Sequence, residues 1–277
     1  MKYERKLDWL AVTLPADTQP EDTLYSDGWV LVGKGVHGYQ YRTEHTTGIV
    51  CQYGASDLRM GTHLSLSGDT LDNVRRDSVW SDDQMMDVLV GKLSGRVSRV
   101  DMAITMTATS ESPKTLNDAI DNGTATVKTK TRAMISGKSG KVTGNTLYLG
   151  SRKSDRFLRF YDKNAEQKIK SDIARMRLEL EVKGIMAHMA GKAMLQHGVD
   201  KVIIGHFDDF LKWDSADYNQ ALEGEIVALE KTSRKETSTE KWLLDQVAPS
   251  LAKVCELNPE FMDKFIRAFN NASEHKS

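Results

Sequence analysis

Four stretches of strict polar/apolar alternation, a first third punctuated by glycines, and helix-length apolar periodicity beyond residue 185 together predict an α+β protein. The expected architecture is a mostly antiparallel β-sheet with one polar face able to carry an active site, packed helices, and a helical C-terminal region. The boundary is expected near residue 185, dividing the chain into an α+β domain over 1–184 and helices over 185–277.

Taken in order, Leu7–Leu14 reads as a strand, Gly28–Val36 with Gly38–Arg42 as a hairpin, and Thr47–Tyr53 as another strand. Thr62–Gly68 sets Leu64 and Leu66 against His63, Ser65 and Ser67. Thr70–Arg76 and Asp82–Leu93 are helical; Met85, Met86, Leu89, Val90 and Leu93 give the second a broad apolar face. Ser98–Met106 turns Val100, Met102, Ile104 and Met106 inward and Arg99, Asp101, Ala103 and Thr105 to the other side.

Leu116–Asn122 is a short helix closed by Gly123, and Ala125–Ile135 alternates as a strand. The Ser136–Lys141 tract contains GKSGK, but it lacks the phosphate-loop spacing and leads into a strand pattern, Val142–Leu149, rather than a helix. Phe157–Tyr161 then places Phe157, Arg159 and Tyr161 opposite Leu158 and Phe160. Arg177–Lys183 places Arg177, Glu179, Glu181 and Lys183 opposite Leu178, Leu180 and Val182. Helices are expected over Ile185–His197, Val199–Trp213, Asn219–Lys231, Thr239–Val254 and Pro259–Ala272.

Hydrophobic and charged fractions of 39% and 28% in 277 residues suit a globular protein with a substantial core. There is no apolar run of the roughly 18 residues that span a bilayer, and MKYERKLDW lacks a signal-peptide core, so a cytoplasmic location without membrane contact is expected. Cys51 and Cys255, far apart, support neither a disulfide framework nor a thiolate zinc site. The seven histidines form no ligand cluster.

A net charge of −1 does not advertise a nucleic-acid binder, but its distribution is uneven. Val127–Lys163 holds ten Lys or Arg against two Asp, whereas His206–Ser277 holds fourteen acidic against nine basic residues. The five tryptophans are scattered and read as core residues rather than a single-strand stacking platform. From alternation alone, Tyr161 also suits the edge of a sheet, and Glu179 and Glu181 a solvated ladder paired with Arg177 and Lys183.

Three ordered motifs carry a resemblance to a known family: Arg99-Val100-Asp101-Met102-Ala103; Tyr148 through Lys163 with Glu166; and Arg177 through Lys183. They resemble the Rep_trans replication initiators, which include rolling-circle plasmid initiators, phage replication initiation factors and relaxases of integrative elements. The resemblance implies a strand-specific nick at a replication origin, with Tyr161 attacking the scissile phosphate and keeping the 5′ end as a phosphotyrosine. It implies a divalent metal, Mg or Mn, on Asp101, Glu179 and Glu181, as hard oxygen ligands suit such ions. Where some members carry a second Asp this chain has Thr105, which implies altered metal coordination.

A phenol is a weak nucleophile near neutral pH, so neighbouring cations or a base are needed. Arg159 is the expected cation beside Tyr161, with His63 as a candidate phosphate or proton-transfer group. Arg152, Lys153, Arg156, Lys163, Arg177 and Lys183 are the expected DNA contacts. The implied partners are duplex and single-stranded origin DNA, a host helicase and a second copy of the chain. The alternatives are a DNA-binding regulator with the same fold and no nicking, and a metal-dependent nuclease that uses water.

Overall fold

Alternation along the chain becomes one antiparallel sheet in the computed structural model, which describes residues 2–77, 80–135, 145–228 and 248–274. The N-terminal strands are β1 (Lys2–Leu14), β2 (Trp29–Gly33), β3 (Tyr41–His45), β4 (Val50–Tyr53) and β5 (Thr62–Ser67). Helix α1 (Gly68–Asp77) and helix α2 (Asp82–Met86), which continues as a π-helical turn through Lys92, lead into β6 (Arg96–Thr107). Helix α3 (Pro113–Asp121), β7 (Ala125–Val127), β8 (Arg132–Ile135), β9 (Thr146–Gly150), β10 (Arg156–Asp162), α4 (Lys163–Glu166) and β11 (Arg175–Lys183) follow. Then come α5 (Gly184–His197), α6 (Val199–Phe210), β12 (Leu211–Trp213) and α7 (Ala216–Ala221).

Ten strands join in the order β2-β3-β4-β5-β1-β6-β11-β10-β9-β8, and β12 pairs with β7 in a separate ribbon. All strand pairs are antiparallel, as the α+β reading expects. One face is apolar: Leu10, Leu64, Val100, Met102, Leu158, Phe160, Leu178 and Leu180 are all fully buried. Against it lie Met85, Met86 and Leu89 from the α2 region, Ala187 and Met194 of α5, and Val202, Ile203 and Phe207 of α6. A Cβ on Gly191 would come 2.5 Å from Val97 Cγ2, so this glycine lets α5 lie directly on β6.

The chain divides into two units, Met1–Leu229 and Glu230–Ser277. Helices α5 and α6 therefore belong with the sheet, and the boundary expected near 185 lies later, because their apolar faces complete the sheet's core. The second unit, among the described residues, consists of α8 (Ala248–Leu257) and α9 (Phe261–Glu274). No described helix is long and apolar enough to cross a membrane.

Other expectations shift in detail. Ala125–Ile135 splits into β7 and β8, which join different sheets. Val199–Trp213 is helical only to Phe210, because Leu211–Trp213 pairs with β7. Of Asn219–Lys231, the described residues are helical only to Ala221, where α7 ends, and residues 229–231 lie outside the described ones. The Ser136–Lys141 tract, residues 142–144 of the next strand pattern, and the start of the helix expected at Thr239 lie outside the described residues.

Candidate active site

Antiparallel register sorts the polar face into rows that run across the strands. One row joins Tyr161 on β10, Arg177 on β11, Thr105 on β6 and Glu4 on β1. The next joins Tyr148, Arg159, Glu179, Ala103 and Lys6. A third joins Phe157, Glu181, Asp101 and Trp9. The three motifs thus meet because β6, β11 and β10 are neighbours in the sheet.

This face is not a solvated ladder: Asp101, Arg177, Glu179 and Glu181 are only 1%, 2%, 4% and 6% exposed. Buried charges persist only when paired, and these are. Arg99 donates to both oxygens of Asp101, at 2.9 Å from Nε and 2.6 Å from Nη2, and its Nη2 lies 2.9 Å from Glu181 Oε2. Lys183 Nζ takes the other Glu181 oxygen at 2.8 Å. Arg159 donates to Glu179 Oε1, and its Nη2 is 3.9 Å from Asp101 Oδ2. Arg177 donates from Nε to Thr105 Oγ1 at 2.9 Å and from Nη1 to Asp8 Oδ1 at 2.8 Å.

Burial raises the pKa of Asp101 and of Glu179 above the ordinary carboxylate range, although Arg99 and Arg159 respectively oppose the shift. Further carboxylates add to it, Glu181 beside Asp101, and Asp8 and Asp101 beside Glu179. Four acids on adjoining strands compete for a limited supply of cations.

Tyr161 is half-buried and lines a cleft of about 840 Å³ over this face. Its hydroxyl donates to Glu179 Oε2 at 3.0 Å. Burial, then the charge of Glu179, push its pKa well above that of a free phenol. The following Asp162 caps α4, its Oδ1 accepting from the amides of Asn164 at 2.8 Å and Ala165 at 3.1 Å. The chain turns there, which brings Lys163 Nζ to 5.8 Å from the Tyr161 ring, where it pairs with Glu166 at 2.8 Å.

Comparison with known proteins identifies the family and the fold. The sequence model described as replication initiation factor, Rep_trans, matches residues 95–269. The chain belongs to this family. A rolling circle replication initiator protein from Geobacillus stearothermophilus shares the fold at a TM-score of 0.65 and 19% identity. The match covers 82% of this chain and 94% of that one. No curated protein matches the sequence. Replication initiation is an act on DNA, so membership makes DNA this family member's partner.

Within this member of the family, Tyr161, Arg159, Asp101, Glu179 and Arg177 line one cleft, while Glu181, opposite Asp101 in register, is paired with Arg99 and Lys183. Two expected residues are elsewhere. His63 shares the polar face but stands at the register of Thr13 and Arg96, nine residues along β6 from Thr105, or roughly 30 Å at 3.3 Å per residue. Hydroxyls of Thr13 and Ser65 lie 3.4 and 3.3 Å from its ring nitrogens, so its place is structural. Arg156 shares the parity of Leu158 and Phe160 and emerges on the helix side. There it pairs with Asp209 at 2.7 Å and lies over Phe210.

The remaining expected DNA contacts differ in availability. Arg152 and Lys153 are exposed in the turn between β9 and β10, with Arg152 stacked 5.4 Å from the Phe157 ring centroid. Lys163, Arg177 and Lys183 are already engaged by carboxylates, and Arg177 is too buried to act as a surface cation. Asp8 was not anticipated. It sits in a bulge between Leu7 and Trp9, close against Gly68, where a Cβ would meet Asp8 Oδ1 at 3.1 Å. The phase slip from Leu7 to Leu10 in KLDWL is the signal that marks it.

Hard carboxylate oxygens suit Mg or Mn in chemistry. The cleft lining holds eight carboxylates against seven cations, so an incoming phosphodiester meets no excess of positive charge, and a divalent ion would supply one. Among the described residues no three ligands converge as a ready-made ion site, because the Arg99 guanidinium bridges Asp101 and Glu181. Their oxygens are of the right chemistry for such an ion, and here each carboxylate is engaged by an arginine or lysine.

Proposed function

We propose that this chain initiates rolling-circle replication by nicking one strand of origin DNA through Tyr161. The observation that carries the reading is the hydrogen bond from Tyr161 Oη to Glu179 Oε2, made inside a cleft floored by paired carboxylates and arginines. A phenol with so high a pKa is not ionised beforehand, so its proton must leave as the bond to phosphorus forms. Glu179 Oε2 accepts that proton. Oη bonds to phosphorus, the bond from phosphorus to the 3′ oxygen breaks, and that oxygen takes a proton from solvent to become the primer hydroxyl.

Arg159, half-buried at the cleft, is the cation we assign to the phosphoryl oxygens. Asp101 and Glu181, opposite one another on β6 and β11, with Glu179 beside them, are the residues that would hold Mg or Mn. Such an ion, when bound, supplies charge neutralisation at the phosphoryl group. The phosphotyrosine conserves the energy of the broken ester, so a later strand transfer needs no ATP.

The test is a supercoiled plasmid carrying the cognate origin, incubated with Mg²⁺ or Mn²⁺. Relaxed DNA with a protein adduct, both abolished by Tyr161→Phe, supports the reading. Cutting that survives Tyr161→Phe indicates attack by water, and origin binding with no cutting under either metal indicates a regulator.

A further inference from the structure

Two aromatic rings on the polar face take no part in the chemistry above. Trp9 stands in the Asp101 row on β1, and Tyr148 in the Arg159 row on β9; both are half-buried and line the cleft. Four strand spacings separate them, about 19 Å across the sheet, with Asp101, Glu179 and Arg159 in between. Each ring is backed on one side. The Arg99 guanidinium sits 4.7 Å from the Trp9 ring, and Phe157 lies parallel to Tyr148, with centroids 5.7 Å apart and planes inclined by 13°. The Arg152 guanidinium lies 5.4 Å from the Phe157 ring centroid in turn. Among the described residues neither the indole N–H nor the Tyr148 hydroxyl makes a hydrogen bond or ion pair.

A rigid, half-exposed aromatic backed on one face is a platform for a flat partner, and every nucleobase has such a face. The near balance of charge in the cleft argues the same way, since attraction to phosphates alone would not hold a strand there. We infer that Trp9 and Tyr148 are stacking platforms for two unpaired bases of single-stranded DNA, one on either side of the reactive centre. The inference rests on the initiator reading for the position of the reactive phosphate. It goes beyond that reading in assigning the grip on the strand to bases rather than to the backbone.

It is tested by anisotropy of a short, labelled, mixed-sequence DNA single strand in EDTA, with every protein carrying Tyr161→Phe so that nothing is cut. Tyr148→Ala and Trp9→Ala should each weaken binding by about 5-fold to 100-fold, whereas Tyr148→Phe and Trp9→Phe stay within about 2-fold. The salt dependence of affinity should not change, because no phosphate contact is lost. On a strand whose bases are replaced by abasic sites, Tyr148→Ala and its parent should bind equally. Unchanged affinity of Tyr148→Ala, or a loss seen equally with Tyr148→Phe or on the abasic strand, overturns the inference. If Trp9→Ala does not fold, the Tyr148 variants decide alone. The assay contains neither metal nor cutting, so failure of Tyr161 as nucleophile leaves its outcome intact, and the converse holds.

Discussion

Among the described residues Tyr161 Oη hydrogen-bonds to Glu179 alone, so the two side chains should fail together. Tyr161→Phe should abolish nicking by at least about 1,000-fold while leaving origin affinity within about 2-fold, as gel relaxation and binding assays would show. Asp8 belongs to a different problem, the burial of Arg177. Asp8→Ala leaves that guanidinium with Thr105 alone and should cost about 3 kcal/mol in urea denaturation; adding Arg177→Met should recover part of the loss. Equal stability of Asp8→Ala and the parent would contradict this account of the pair. At this scale parity was readable in the sequence: it puts Arg159, Tyr161, Glu179 and Glu181 on one face, and it would also have removed Arg156 from it. Distance along a strand was not readable, which is why His63 shares the face yet stands far from the cleft. Parity also misses Asp8, because a bulge breaks the period it depends on, and only the phase slip from Leu7 to Leu10 marks the place.

Strand and helix identities followed from periodicity wherever one face is buried, as in β5, β6, β10 and β11. They failed where a partner decides. Ala125–Ile135 alternates throughout, but its two ends pair with different strands, and Leu211–Trp213 leaves its helix to join β7. Helix α5 has a tightly constrained seat, since Gly191 meets Val97 with no room for a methyl group. Gly191→Ala should therefore lower stability by about 1–3 kcal/mol, although alanine favours helix, and a thermal melt would register it. A rise in melting temperature would mean that α5 can lift from β6 without cost.

For the molecule as a whole, the boundary expected at residue 185 gives way because α5 and α6 supply the layer that covers the sheet. That layer buries His206, whose pKa falls to about 4, first through burial and then through Arg156, with Asp209 opposing. An unfolded histidine titrates near 6.5, so the unfolded chain gains a proton between about pH 6.5 and 4 that the folded chain does not bind. Acidification through that window should cost up to about 3 kcal/mol more in the parent than in His206→Gln, by denaturation at each pH. Parallel stability curves would refute it. The central claim concerns one atom, and peptide mapping by mass spectrometry after incubation with origin DNA and Mg²⁺ tests it most directly. The account predicts a nucleotide linked through its 5′ phosphate to the peptide bearing Tyr161. Cleaved DNA with no adduct, or an adduct on any other residue, would contradict it.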